Sequence, residues 1–109
     1  MSAESTISVS TPVMTLINMF TVEPARQQEL VQLLVTATEE VIQHQPGFVS
    51  ANIHASADGG RVVNYAQWES EQAFRAMLAN PQAREHMAAA TRFAHAEPHL
   101  YDVASVHHR

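Results

Sequence analysis

The chain has 109 residues, 46% of them hydrophobic and 16% charged, which allows one compact domain and excludes a chain held open by charge repulsion. Its formal net charge is -5, and its 6 basic residues are all arginines spread singly from Arg26 to Arg109, an arrangement that argues against a nucleic-acid partner. The absence of cysteine rules out disulfides, thiolate nucleophiles and zinc-thiolate sites.

Residues 1–12, "MSAESTISVSTP", are rich in Ser and Thr and read as a flexible tail ahead of a single domain over 13–109. That start lacks the basic and apolar run of a secretory signal, and no apolar segment is long enough to span a bilayer, so the sequence reads as soluble and cytoplasmic with no membrane partner. "VMTLINMFTV", Val13 to Val22, is β-branched and apolar and predicts a strand. Pro24 then suits a first helical turn. In "ARQQELVQLLVTATEEVIQH" the set Leu30, Leu33, Leu34, Ala37 and Val41 recurs at three and four, which predicts an amphipathic helix ended by Pro46 and Gly47.

"VSANIHASA" alternates strictly, with Val49, Ala51, Ile53 and Ala55 on one face and Ser50, Asn52, His54 and Ser56 on the other. Asp58, Gly59 and Gly60 then signal a turn, so "RVVNYAQWE" is predicted to pair back as the second arm of a hairpin. Ser70 is a helix cap for "EQAFRAMLA". Asn80 and Pro81 end that helix and open another, "QAREHMAAATRFA", and the two could run as one kinked helix. "PHLYDVASVHH" alternates again and reads as the last strand.

The order strand, helix, strand, strand, helix, strand predicts an α+β, ferredoxin-like βαββαβ fold: a four-stranded antiparallel sheet with both helices on one face. Two helices cover only one side of the sheet. The other face predicts a homodimer joined sheet to sheet.

The hairpin's second arm carries Asn64, Tyr65, Gln67 and Trp68 where a core strand would carry Val and Ile. By alternation Asn64, Ala66 and Trp68 share one face, and Val63, Tyr65 and Gln67 the other. Asn18, on the neighbouring first strand, would stand near Asn64 or Trp68. A buried Asn left without partners costs about 1–3 kcal/mol, so these amides either satisfy one another or line a site. His54 lies on a polar face, as a proton carrier or as an ordinary surface or interface histidine. Tyr65 and Tyr101 either donate to a ligand or pack with their hydroxyls at a core edge. Arg75 reads as a solvated surface charge. The histidines show no metal-ligand spacing, and no phosphate loop or flavin fingerprint is present.

The run Pro46 to Leu78, and "NYAQWESEQA" within it, closely resembles the antibiotic biosynthesis monooxygenase family, whose ferredoxin-like protomers pair into dimeric α+β barrels. The resemblance implies a cofactor-independent monooxygenase that oxidises a polycyclic, polyketide-type phenol or anthrone to a quinone with dioxygen. It implies catalytic positions at Asn64, Tyr65, Trp68 and His54, and substrate-binding positions at Phe74 and Arg84; Asn18 and His86 are further substrate-binding candidates. The family pattern has Tyr where this chain has Phe74, so Tyr65 or a water would replace that hydroxyl in proton transfer. Haem-degrading relatives of the same fold are an alternative, with Asn18 and His86 filling two of their positions but Met77 standing near the place of their Trp. A non-catalytic polyketide-binding module is another.

Overall fold

The computed structural model describes residues 3–109. Four strands, β1 (Met14–Val22), β2 (Phe48–Ala55), β3 (Arg61–Trp68) and β4 (Ala94–Tyr101), form one antiparallel sheet in the order β2-β3-β1-β4. Helices α1 (Gln27–Glu40), α2 (Glu71–Leu78) and α3 (Pro81–Thr91) complete the ferredoxin-like fold.

Local chemistry sets these boundaries. Pro24–Arg26 forms a 3-10 turn before α1, and Ile42–His44 another after it. Ser70 Oγ accepts from the Ala73 N–H at the start of α2. Asn80 Oδ1 accepts from the N–H groups of Gln82 and Ala83, so the Asn-Pro pair starts α3 as a separate helix. In the hairpin turn Asp58 Oδ1 accepts from the Gly60 N–H and the Ser56 hydroxyl, which holds its carboxyl below the usual range. Gln27, buried in α1, clasps the turn's base by donating to the Ser56 and Arg61 carbonyls, both at 3.0 Å.

The last strand departs from the expectation. It starts at Ala94 rather than at Pro98 and ends at Tyr101, so Phe93 ends the preceding connection and residues 102–109 form no strand. The physical reason lies in the sheet order. β4 pairs only with β1, and an edge strand tolerates a proline within it because the missing N–H can face outward.

Paired residues share a face, so Asn18 opposite Asn64, Leu16 opposite Ala66 and Met14 opposite Trp68 all lie on the helix side. Two buried clusters hold that side together. One gathers Leu16, Val41, Ala66, Trp68, Phe74 and Met77, and the other Phe20, Val22, Leu30, Leu34, Val62 and Ala90. Burying each large apolar side chain contributes about 1.5–3 kcal/mol. Among the described residues the opposite sheet face carries no helix. The N-terminal segment runs along part of it, where Gln67 Nε2 donates to the Thr6 carbonyl at 2.9 Å and Ser5 Oγ donates to Asn52 Oδ1 at 2.7 Å.

Candidate functional site

A cavity of about 420 Å³ lies between the sheet and the helices, bordered by members of both core clusters. Its volume falls in the range of small-molecule sites, about 300–1,000 Å³. Alanines explain the space: Ala51, Ala66 and Ala96 lie on the sheet side where larger residues would fill it. From α1 and the turn after it come Leu34, Thr38 and Ile42, and from the other helices Phe74, Arg75, Met77, Leu78 and Met87. The exposed Leu78 and Leu100, 42% and 37% accessible, mark its open side.

Within this apolar setting stand Asn18, Asn64 and Trp68. Asn18 is 7% exposed and Asn64 partly buried, and Oδ1 of each is buried with no hydrogen-bond partner among the described residues. They are Cα partners across β1 and β3, yet they do not satisfy one another. Trp68 is 1% exposed and wedged between Phe48, edge-on at 5.5 Å between ring centroids, and Phe74, tilted at 6.1 Å. Two rings thus fix the indole plane, four residues along β3 from Asn64. The Thr38 hydroxyl donates back to the Leu34 carbonyl at 2.8 Å. Arg75 is the one permanently charged side chain lining the cavity among the described residues, and it pairs with Glu71 at 2.7 Å.

The structure thus brings together Asn18, Asn64, Trp68 and Phe74. Tyr65 and His54 lie on the opposite sheet face, because Tyr65 pairs with Ile17 and Asn52, and His54 with Val63. Tyr65 lines a separate surface pocket with Ile7, Thr15, Ile17 and Tyr101. Arg84 is exposed on α3 and does not line the cavity. His86 sits in a groove between α3 and α1, 4.0 Å from Glu40, so it and Asn18 border different cavities. Among the described residues no group of three or more His, Asp and Glu could hold a metal ion.

Sequence reasoning passed over Thr38, Ile42, Met87 and the β4 residues Ala96, Pro98 and Leu100 as lining residues, and it read Arg75 as a solvated surface charge where the structure places it on the cavity. One signal was available. Leu34, Thr38 and Ile42 recur every four residues, a column beside the core stripe of Leu30, Ala37 and Val41.

A family model described as antibiotic biosynthesis monooxygenase matches residues 13–89. A tetracenomycin-F1 monooxygenase from Streptomyces glaucescens is 55% identical over 82 residues, 75% of this chain and 73% of that one. Among solved structures, a monooxygenase from the ActVA-Orf6 gene of Streptomyces coelicolor, in complex with nanaomycin D, is 35% identical with a TM-score of 0.82, covering 94% of this chain and 99% of that chain. SnoaB, a cofactor-independent oxygenase from Streptomyces nogalater, is 27% identical with a TM-score of 0.70, covering 87% of this chain and 96% of that chain. No helix among the described residues is long and apolar enough to cross a membrane.

Proposed function

Because the chain belongs to the antibiotic biosynthesis monooxygenase family and is a monooxygenase, we propose that it oxidises a polycyclic, polyketide-type phenol or anthrone to a quinone with dioxygen and without a resident cofactor. The observation that carries this reading is the pair of amides Asn18 and Asn64, each with its Oδ1 buried and unpartnered among the described residues, lining the same apolar cavity as the Trp68 indole. The relatives support it: one is a tetracenomycin-F1 monooxygenase, another is in complex with nanaomycin D, and a third is a cofactor-independent oxygenase.

The chemistry needs little from the protein beyond placement. Loss of a proton from the anthrone leaves an electron-rich anion, which transfers one electron to dioxygen. The resulting radicals combine to form a carbon–oxygen bond, and the peroxide oxygen takes up a proton. Removal of the second proton from the same carbon breaks the O–O bond, forms the C=O of the quinone and releases water. Dioxygen is reduced by four electrons, of which the substrate supplies all. The unpartnered Oδ1 atoms of Asn18 and Asn64 are acceptors for a substrate hydroxyl, while their NH₂ groups and the Trp68 N–H are the donors available to the developing oxyanion and peroxide. The apolar walls strengthen those hydrogen bonds by excluding bulk water.

Aerobic turnover of an anthrone to its anthraquinone, in protein stripped of metal and flavin, tests the proposal. Oxygen uptake should exceed the uncatalysed rate. Equal rates with and without protein across several hydroxylated anthrones would overturn it, and ligand binding at the uncatalysed rate would point to a binding module instead.

The reading includes a homodimer joined through the helix-free sheet face. Ile17, Met19, Val63 and Tyr65 on that face are only partly buried within one protomer, which supports a partner surface there. Light scattering should give twice the 12.0 kDa of the chain, and a mass of one chain at micromolar concentration would refute it.

A further inference from the structure

Resting on the aromatic-oxygenase reading above, we infer that Arg75 is a specificity residue that reads an anionic oxygen substituent, a carboxylate or a phenolate, at the outward end of the polycyclic substrate. The cavity interior is built from alanines, large apolar side chains and neutral amides. A second ionised oxygen buried in this cavity away from the amide and indole donors, with no cation beside it, would be strongly disfavoured, so a charged substituent has to sit at the open side. Arg75 lines the cavity one residue after Phe74, and its side chain is 65% accessible. The exposed His99 and Leu100 of β4 line the same cavity.

Its present partner does not commit it. Glu71 lies one helical turn back and is 53% accessible, and an exposed pair of this kind contributes little and exchanges readily. A planar guanidinium can then take a carboxylate or phenolate through two N–H donors. The overall charge of -5 makes a local cation more consequential, since the rest of the surface repels an anionic ligand. Arg84, by contrast, lies off the cavity and offers no such contact.

Affinity for product-like probes tests the inference. An anthraquinone carboxylate is compared with its neutral carboxamide, and a hydroxyanthraquinone is compared on either side of its phenol ionisation. The wild type should prefer the anionic member of at least one pair by about three- to tenfold at low salt, with the preference shrinking as salt rises. The pair that shows it identifies carboxylate or phenolate as the group read. Arg75→Gln should abolish the preference, Arg75→Lys should retain part of it, and Glu71→Gln should widen it by freeing the guanidinium. No preference in the wild type, or an unchanged preference in Arg75→Gln with wild-type circular dichroism, overturns the inference. Turnover of an uncharged anthrone by the wild type separates the two ideas. If it proceeds while the preference is missing, only the role of Arg75 fails, and if it does not proceed, the oxygenase reading fails by itself.

Discussion

Replacing Asn18 by Leu should make the protein more stable and a poorer ligand binder. Asn18 is 7% exposed, and its Oδ1 has no hydrogen-bond partner among the described residues. An amide buried in that way costs the fold about 1–3 kcal/mol relative to a satisfied or apolar group. Leu has nearly the same length, is better suited to a strand interior, and faces a cavity with room for its methyl groups. The expected gain is therefore about 1–3 kcal/mol, or roughly 4 °C in Tm per kcal/mol for a chain of about 100 residues. Asn64→Leu should shift stability in the same direction by less, because Asn64 is only partly buried. Urea unfolding read by tryptophan fluorescence and far-UV circular dichroism measures the gain, and titration with a hydroxyanthraquinone measures the accompanying loss of affinity. A lower urea midpoint for Asn18→Leu, with an unchanged slope, would refute the reasoning, because it would mean that the fold already satisfies this amide. Stability gained at the expense of binding is the signature of a residue kept for its ligand.

Trp68→Phe keeps an aromatic ring between Phe48 and Phe74 but removes the indole N–H, and it should lower kcat for anthrone oxidation by about a hundredfold. An unchanged kcat would remove the indole from the reaction. Gly47 has φ +85°, and a Cβ placed there would collide with the Ala73 Cβ, so Gly47→Ala should cost about 2–4 kcal/mol. Adding Ala73→Gly should recover the clash but not the backbone strain, which a thermal-unfolding cycle of the single and double variants would reveal. The Asp58 carboxyl is held below its usual range mainly by the Gly60 N–H and next by the Ser56 hydroxyl, so its contribution to stability is present above the unfolded-state pKa and is lost as pH falls through the lower folded value. The Tm difference between wild type and Asp58→Ala should thus be largest near neutral pH and shrink below about pH 4, and a difference that stays constant down to acid pH would contradict this.

Much of the site was legible because a strand has a period of two. Once "RVVNYAQW" is read as a strand, Asn64 and Trp68 must share a face and Tyr65 must point the other way, whatever the remainder of the chain does. The Ser70 and Asn80 caps and the Asp-Gly-Gly turn acted locally and were equally readable. Tertiary structure decided which face became the inside. Packing of α1, α2 and α3 on the even-numbered side of β3 put Asn64 and Trp68 in a cavity and left Tyr65 and His54 on the helix-free side, although the resemblance had grouped all four. It also decided that Pro98 sits within a strand, since only the sheet order makes β4 an edge. The volume of the cavity and the place of Arg75 beside it depend on how side chains distant in sequence fill or leave space, and such non-local packing has no periodicity for a sequence to display.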